Sequence, residues 1–220
     1  MQSKSEYFGA SVTHILPYVL YLPDDYEVNG DKKYPFILFL HGAGERGDDL
    51  AVLKSQGLPK KLEKGDSLPF IVLAPQCPED DWWADYRHAL ITMVDSVLAN
   101  YRVDEARVYL TGLSMGGRGT WDMATLYPNR FAAVAPICGW GDGLFGYPER
   151  LKRIVHLPVW TFHGDADELV PVKATQWLVD SLEEFGGNVK FTIYPDVGHD
   201  SWTETYNNPE LYEWLLKHTL

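Results

Sequence analysis

Short runs of unbroken hydrophobicity recur along this chain, separated by polar turns and by stretches with helical spacing. Tyr34 to Leu40, Phe70 to Ala74, Arg107 to Thr111, Phe131 to Ile137 and Leu157 to Phe162 are apolar with little alternation. That pattern belongs to strands covered on both faces, as in a parallel sheet. Val189 to Tyr194 alternates, and Val12 to Leu22 alternates loosely before the turn Pro23-Asp24-Asp25, so both predict edge strands. Asn29-Gly30-Asp31 reads as a further turn. Leu90, Ile91, Val94, Val97 and Leu98 fall on one face of a helix of about four turns. A second helix runs through Trp121 and Met123 and stops near Tyr127-Pro128. A third covers Lys173 to Phe185, turns Trp177, Leu178, Ser181 and Leu182 inward, and is capped by Gly186-Gly187. A terminal helix is expected from Pro209 to His218, and a short helix plus surface loop between Asp48 and Leu68.

Strands alternating with helices specify an α/β architecture, a mostly parallel, doubly wound sheet with helices on both faces and right-handed crossovers. Such sheets bind ligands outside the carboxyl ends of their strands. The Gly-rich and polar clusters of this chain fall at those ends: His41 to Gly47, Pro75 to Pro78, Gly139 to Gly143, His163 to Asp167 and Val197 to Asp200.

A length of 220 residues suits one domain spanning 1–220, with about the first eleven residues as a loose N-terminal segment. The net charge of −12 argues against nucleic acid or an anionic bilayer as partner, since the basic runs Lys60-Lys61 and Lys152-Arg153 are short. The first residues have no apolar core of a signal peptide, and no run approaches the ~20 residues of a membrane helix. The default expectation is therefore cytoplasmic, with secretion open if a leader has been removed. Cys77 and Cys138 follow strands that the expected strand order separates, so free thiols are expected. No His-x-x-x-His, Cys-x-x-Cys or phosphate-binding Gly loop occurs, and neither metal nor cofactor is expected.

The most chemically specific stretch is Gly112-Leu113-Ser114-Met115-Gly116, set between a strand and a helix. Strand, sharp turn and helix lift the serine above the sheet edge, and the glycines remove Cβ atoms where strand and helix pass closely. A serine nucleophile needs a base that is itself oriented by a third group. His199, beside Gly198 just past the last strand, is the candidate base. His163 is followed at once by Gly164 and a turn and reads as a loop anchor, His41 reads as structural, and His14, His88, His156 and His218 lie in elements away from strand carboxyl ends. The acid is Asp165 or Asp167, in the loop after the preceding strand. The order Ser, Asp, His is that of α/β-hydrolases.

Five segments, His41-Gly42-Ala43-Gly44-Glu45-Arg46-Gly47, Ala74-Pro75-Gln76-Cys77-Pro78, Gly112 to Gly117, Pro136-Ile137-Cys138-Gly139 and Gly198-His199-Asp200-Ser201-Trp202, resemble in order and spacing those of compact α/β-hydrolase serine esterases. These form the predicted-peptidase and feruloyl-esterase-like branch, related to dienelactone hydrolases and the prolyl-oligopeptidase catalytic domain. The resemblance spans nearly the whole chain. His163-Gly164 followed by Asp167-Glu168-Leu169-Val170-Pro171 is similar to the acid loop of that group, which implies Asp167 as the acid and Asp165 as a turn residue. It also implies an oxyanion hole formed by the amides of Met115 and Ala43, with Gly44 as the alternative to Ala43. Trp140 departs from the small residue expected in a Gly-Gly-Gly-Asp sequence.

Four of the eight tryptophans, Trp82, Trp83, Trp140 and Trp202, lie in loops at strand carboxyl ends. Together they suggest a flat apolar pocket wall, with Trp83, Trp140 and Trp202 as substrate contacts suited to an aromatic acyl group or a sugar ring. Trp121, Trp160, Trp177 and Trp214 read as core. Only the Cys138 to Pro158 segment could act as a cap, so no large lid is expected. The expected activity is that of a serine carboxylesterase acting on short-chain, aromatic or carbohydrate-linked esters through an acyl-enzyme on Ser114. Two alternatives stand beside it: a serine peptidase of the prolyl-oligopeptidase type, which usually carries a gating domain, and a non-catalytic binding module on the same fold. The sequence leaves oligomeric state open.

Overall fold

A computed structural model describes residues 16–28 and 30–220. In chain order its regular elements are β1 (Tyr18–Tyr21), β2 (Tyr34–Leu40), α1 (Leu50–Leu53), α2 (Gly57–Glu63), β3 (Ile71–Pro75), α3 (Arg87–Asn100), β4 (Val103–Leu113), α4 (Met115–Leu126), β5 (Ala133–Ile137), β6 (Val159–Gly164), α5 (Val172–Glu184), β7 (Val189–Tyr194), α6 (Trp202–Asn207) and α7 (Pro209–Leu216). Short 3₁₀ turns add Ala43–Glu45, Trp83–Asp85 and Glu149–Ile154.

The strands form one sheet in the order β1-β3-β2-β4-β5-β6-β7. Every pairing is parallel except β1 with β3. This is the doubly wound sheet that the alternation of elements predicts. The reason for the unbroken hydrophobic runs is visible in β2, where Phe36, Leu38 and Leu40 enter one core and Ile37 and Phe39 the other. The first core also holds Leu90 and Val94 of α3, Trp121 of α4 and Leu178 of α5. The second holds Leu58 of α2, Tyr206 of α6 and Leu211 and Leu215 of α7. A strand buried on both faces leaves no position for a polar alternation.

Several boundaries differ from the sequence expectation. The segment from Asp48 to Leu68 carries two short helices rather than one. β4 begins at Val103, because Leu220 folds back to donate its amide to Ala106 and Tyr34 pairs in register with Val103. Helix α6 was not expected; it follows the His199 loop directly. The N-terminal edge strand is observed over Tyr18–Tyr21, while positions 12–15 of that expectation, the loose first eleven residues, His14 and Asn29 lie outside the described residues. Cys77 and Cys138 are both buried free thiols, at the ends of β3 and β5 with β2 and β4 between them.

Candidate active site

The turn between β4 and α4 sets the geometry of the site. Ser114 takes φ 52° and ψ −115°, a region that L-residues avoid and that tight functional turns retain. Two glycines make the turn possible. A Cβ on Gly116 would stand 1.9 Å from the Leu40 carbonyl oxygen, and one on Gly112 would stand 2.5 Å from the Gly116 carbonyl oxygen. Strand, turn and helix therefore pass at distances that no other residue permits. Because Gly112 pairs in register with both Leu40 and Pro136, the serine stands over the middle of the sheet.

His199 and Asp167 arrive from neighbouring strand ends. The loop after β7 crosses the end of β6 so closely that a Cβ on Gly164 would meet the Val197 carbonyl oxygen at 2.1 Å. Ala166 donates its amide to Val197, and Asp165 accepts the Asp196 amide at 2.7 Å, so the two loops are tied together. Asp165 thus has a cross-loop role beyond the turn position expected for it. His199 Nε2 lies 2.9 Å from Ser114 Oγ, and His199 Nδ1 lies 2.7 Å from Asp167 Oδ2. Asp167 Oδ1 accepts the amides of Leu169 and Val170, each at 2.9 Å. Burial would push the Asp167 carboxyl up, but the His199 hydrogen bond and the amides of Val170 and Leu169 hold it below its ordinary value. The expected residues Ser114, His199 and Asp167 are thus joined in one hydrogen-bonded line.

Residues 84–211 match the dienelactone hydrolase family, and residues 16–147 match the esterase PHB depolymerase family. The chain belongs to the dienelactone hydrolase family. Among solved structures, a thermostable esterase is 38% identical with a TM-score of 0.78, over 93% of this chain and 60% of that longer one. Carboxylesterase SOBER1 of Arabidopsis thaliana is 26% identical over 192 residues, covering 74% of this chain and 82% of the relative. A ferulic acid esterase structure, 20% identical with a TM-score of 0.66 over 90% of this chain and 89% of its own, shares the fold. The fold is of the α/β-hydrolase type, and this family member stands among ester hydrolases.

The loop after β2 approaches Ser114 from the other side. A Cβ on Gly42 would lie 3.5 Å from Ser114 Cβ, which places the Ala43 turn beside the serine. Ala43 opens a 3₁₀ turn and Met115 opens α4. First-turn amides have no acceptor within their own helix, so both N–H groups are of the kind that can receive an anion. Glu45, buried, accepts the Gly42 amide at 2.9 Å, and Gln76 Nε2 donates to the carbonyls of Glu45 and Asp49, each at 2.9 Å. His41 is structural in this dienelactone hydrolase family member. Its Nε2 accepts the Cys77 amide at 2.9 Å, its Nδ1 reaches the Gly42 carbonyl at 2.6 Å, and burial lowers its pKa to about 4.

His163 lies behind the acid. Its Nε2 is 3.1 Å from Asp167 Oδ2 and 2.8 Å from the Val170 carbonyl, and its Nδ1 is 2.7 Å from Thr175 Oγ1. It anchors the acid loop, and burial keeps its pKa below the ordinary value. Cys138, Asp167 and His199 offer metal-ligand atoms within 4.8 Å of one another. The carboxylate and imidazole atoms there are engaged with each other, and burial pushes the Cys138 thiol far up, away from the thiolate a metal needs.

The tryptophans divide in a way the sequence did not indicate. Trp83, expected as a substrate contact, is 1% exposed: its ring packs edge-on to His41 and against Gly119, and its Nε1 donates to the His41 carbonyl at 2.9 Å. It belongs to the core, because the extended backbone at Trp82 turns consecutive side chains to opposite sides. Trp82 takes the outward place at 40% exposure, facing Trp140 edge to face. Trp202 packs edge-on to His199 with ring centroids 5.3 Å apart. Trp82 and Trp140 line a cleft of about 320 Å³ with Ala84, Asp85 and Arg118. Arg118 was not among the residues expected here, although its position four residues after Ser114 on a helix puts it on the same face.

Proposed function

We propose that this protein is a serine carboxylesterase in which Ser114 is the nucleophile, His199 the general base and Asp167 the orienting acid. The observation that carries the reading is the placement of His199, with one ring nitrogen 2.9 Å from Ser114 Oγ and the other 2.7 Å from Asp167 Oδ2. As Ser114 Oγ bonds to the ester carbonyl carbon, its proton passes to His199 Nε2, and Asp167 stabilises the imidazolium through Nδ1–H. The carbonyl oxygen becomes an oxyanion within reach of the Ala43 and Met115 amides. Collapse of the tetrahedral intermediate breaks the bond to the alcohol oxygen, which takes the proton from His199. Water, deprotonated by His199, then releases the acid and returns Ser114.

Two features support esters of modest acyl length or with aromatic or carbohydrate parts. The segment between Cys138 and Pro158 is short and carries one 3₁₀ turn, and the Trp82 and Trp140 walls adjoin the nucleophile helix. Labelling with a fluorophosphonate tests the nucleophile: wild type should be labelled, and Ser114→Ala should not. Failure of the wild type to label overturns the reading and favours a binding module. Hydrolysis of p-nitrophenyl acetate without cleavage of peptide anilides separates esterase from peptidase. Rates on acetyl, butyryl, methyl ferulate and acetylated xylan substrates then rank the natural ester classes.

A further inference from the structure

The cleft beside the nucleophile helix has an unusual composition for so acidic a chain. Trp82 and Trp140 meet edge to face with ring centroids 6.3 Å apart, and the Arg118 guanidinium carbon lies 5.6 Å from one ring centroid and 5.8 Å from the other. The Arg118 amide donates to the Ser114 carbonyl, so Arg118 stands one helical turn beyond the serine.

Three arginines converge near one buried acid. Asp122 forms ion pairs with Arg87 and Arg150. Arg118 makes no ion pair among the described residues: its Nη2 reaches only the Asp142 carbonyl, at 3.4 Å, and its Nε is buried without a partner. Burial works against its charge, Asp122 one turn further along the helix favours it without an ion pair, and the neighbouring Arg87 opposes it. Asp85, the one acid lining the cleft, is exposed and uses Oδ2 to accept the Trp82 amide at 3.1 Å. The result is a local excess of positive charge in a chain of net charge −12.

We propose that Arg118 is a specificity residue that pairs with a carboxylate carried by the ester substrate away from its scissile carbonyl, while Trp82 and Trp140 cover the ring that bears it. The inference rests on Ser114 being the nucleophile. A guanidinium fork matches the two coplanar oxygens of a carboxylate, and the flanking rings lower the polarity beside the pair. Asp85 at the margin disfavours a doubly charged group such as a phosphate monoester. The flat walls suit a planar or pyranose ring.

Matched esters test this and locate the carboxylate. Para-acetoxybenzoate against para-acetoxybenzamide places it on the alcohol side, and monomethyl terephthalate against methyl para-carbamoylbenzoate places it on the acyl side. With kcat/KM normalised to the hydroxide-catalysed rate of each ester, the wild type should favour the carboxylate by about tenfold or more in one arm. That ratio should shrink with added salt and fall toward one in Arg118→Gln, whatever happens to the absolute rates. Arg118→Lys, checked for folding by circular dichroism, should keep part of it as a point charge without the fork. A wild-type ratio near one in both arms, or a ratio unchanged in Arg118→Gln, overturns the proposal. Calorimetric titration of Ser114→Ala with both matched pairs decides the cleft independently of turnover: tighter binding of the carboxylate in either pair supports the pairing, and equal binding in both overturns it. Fluorophosphonate labelling of the wild type reports separately on the esterase reading.

Discussion

The Gly164 backbone and the Val197 carbonyl stand so close that a Cβ on Gly164 would lie 2.1 Å from the oxygen. This contact lets the loop after β7 cross the end of β6 and deliver His199 to both Ser114 and Asp167. Gly164→Ala should push that loop outward. A misplacement of about 1 Å in a reacting group costs on the order of 100-fold in rate, and the clash itself costs about 1–3 kcal/mol of stability. Ester turnover alongside urea unfolding checks both. Full activity in Gly164→Ala would show that the loop has room the structure does not display.

Asp167 accepts four hydrogen bonds, from His199, His163, Leu169 and Val170. Asp167→Asn keeps the shape but offers an amide to one of these partners, which favours the wrong imidazole tautomer. The kcat for ester hydrolysis should fall by about three to four orders of magnitude. Residual turnover within tenfold of wild type would remove Asp167 from the role proposed for it.

Trp83 and Trp82 should separate cleanly in unfolding experiments. Trp83→Ala removes a fully buried ring and its hydrogen bond to the His41 carbonyl, and should cost about 3–5 kcal/mol. Trp82→Ala, on the exposed side, should cost about 1 kcal/mol or less. The reverse order would mean that the two rings exchange places.

His41 makes stability depend on pH in a defined window. Its folded pKa of about 4 lies below the ordinary 6.5, so between those values the unfolded chain binds a proton that the folded chain excludes. Stability is therefore full above about pH 6.5 and falls as the pH drops toward 4, by up to about 3 kcal/mol. His163, also lowered by burial, acts in the same direction. Urea midpoints at about pH 7.5 and pH 4.5 measure the loss, and His41→Gln should flatten part of the slope from a lower starting stability. A wild-type midpoint that does not change over this range would contradict a buried neutral His41.

Much of the architecture is written locally. The unbroken run Tyr34 to Leu40 announces a strand covered on both faces, and the structure buries all seven residues. Gly112-x-Ser114-x-Gly116 between strand and helix announces a strained turn, because only glycine tolerates the contacts at both flanks. Chain order puts a carboxylate and a histidine at later strand ends, and parallel pairing brings those ends to the same edge of the sheet.

What remained depended on which way side chains face once helices and loops have packed. Adjacent residues on an extended segment point to opposite sides, so Trp82-Trp83 in the sequence implies one inside and one outside without saying which. His41 and Gly119 decide it by bounding the space that Trp83 fills. The spacing of Arg118 from Ser114 puts it on the same helix face, but that Asp122 pairs with Arg87 and Arg150 and that Trp82 and Trp140 flank Arg118 is a matter of tertiary packing. By itself the sequence determined the strands, the turn and the candidate residues, because backbone sterics and hydrophobic periodicity act over a few residues. The tertiary structure decided the walls and charge of the site, because they arise from contacts between segments distant in the chain.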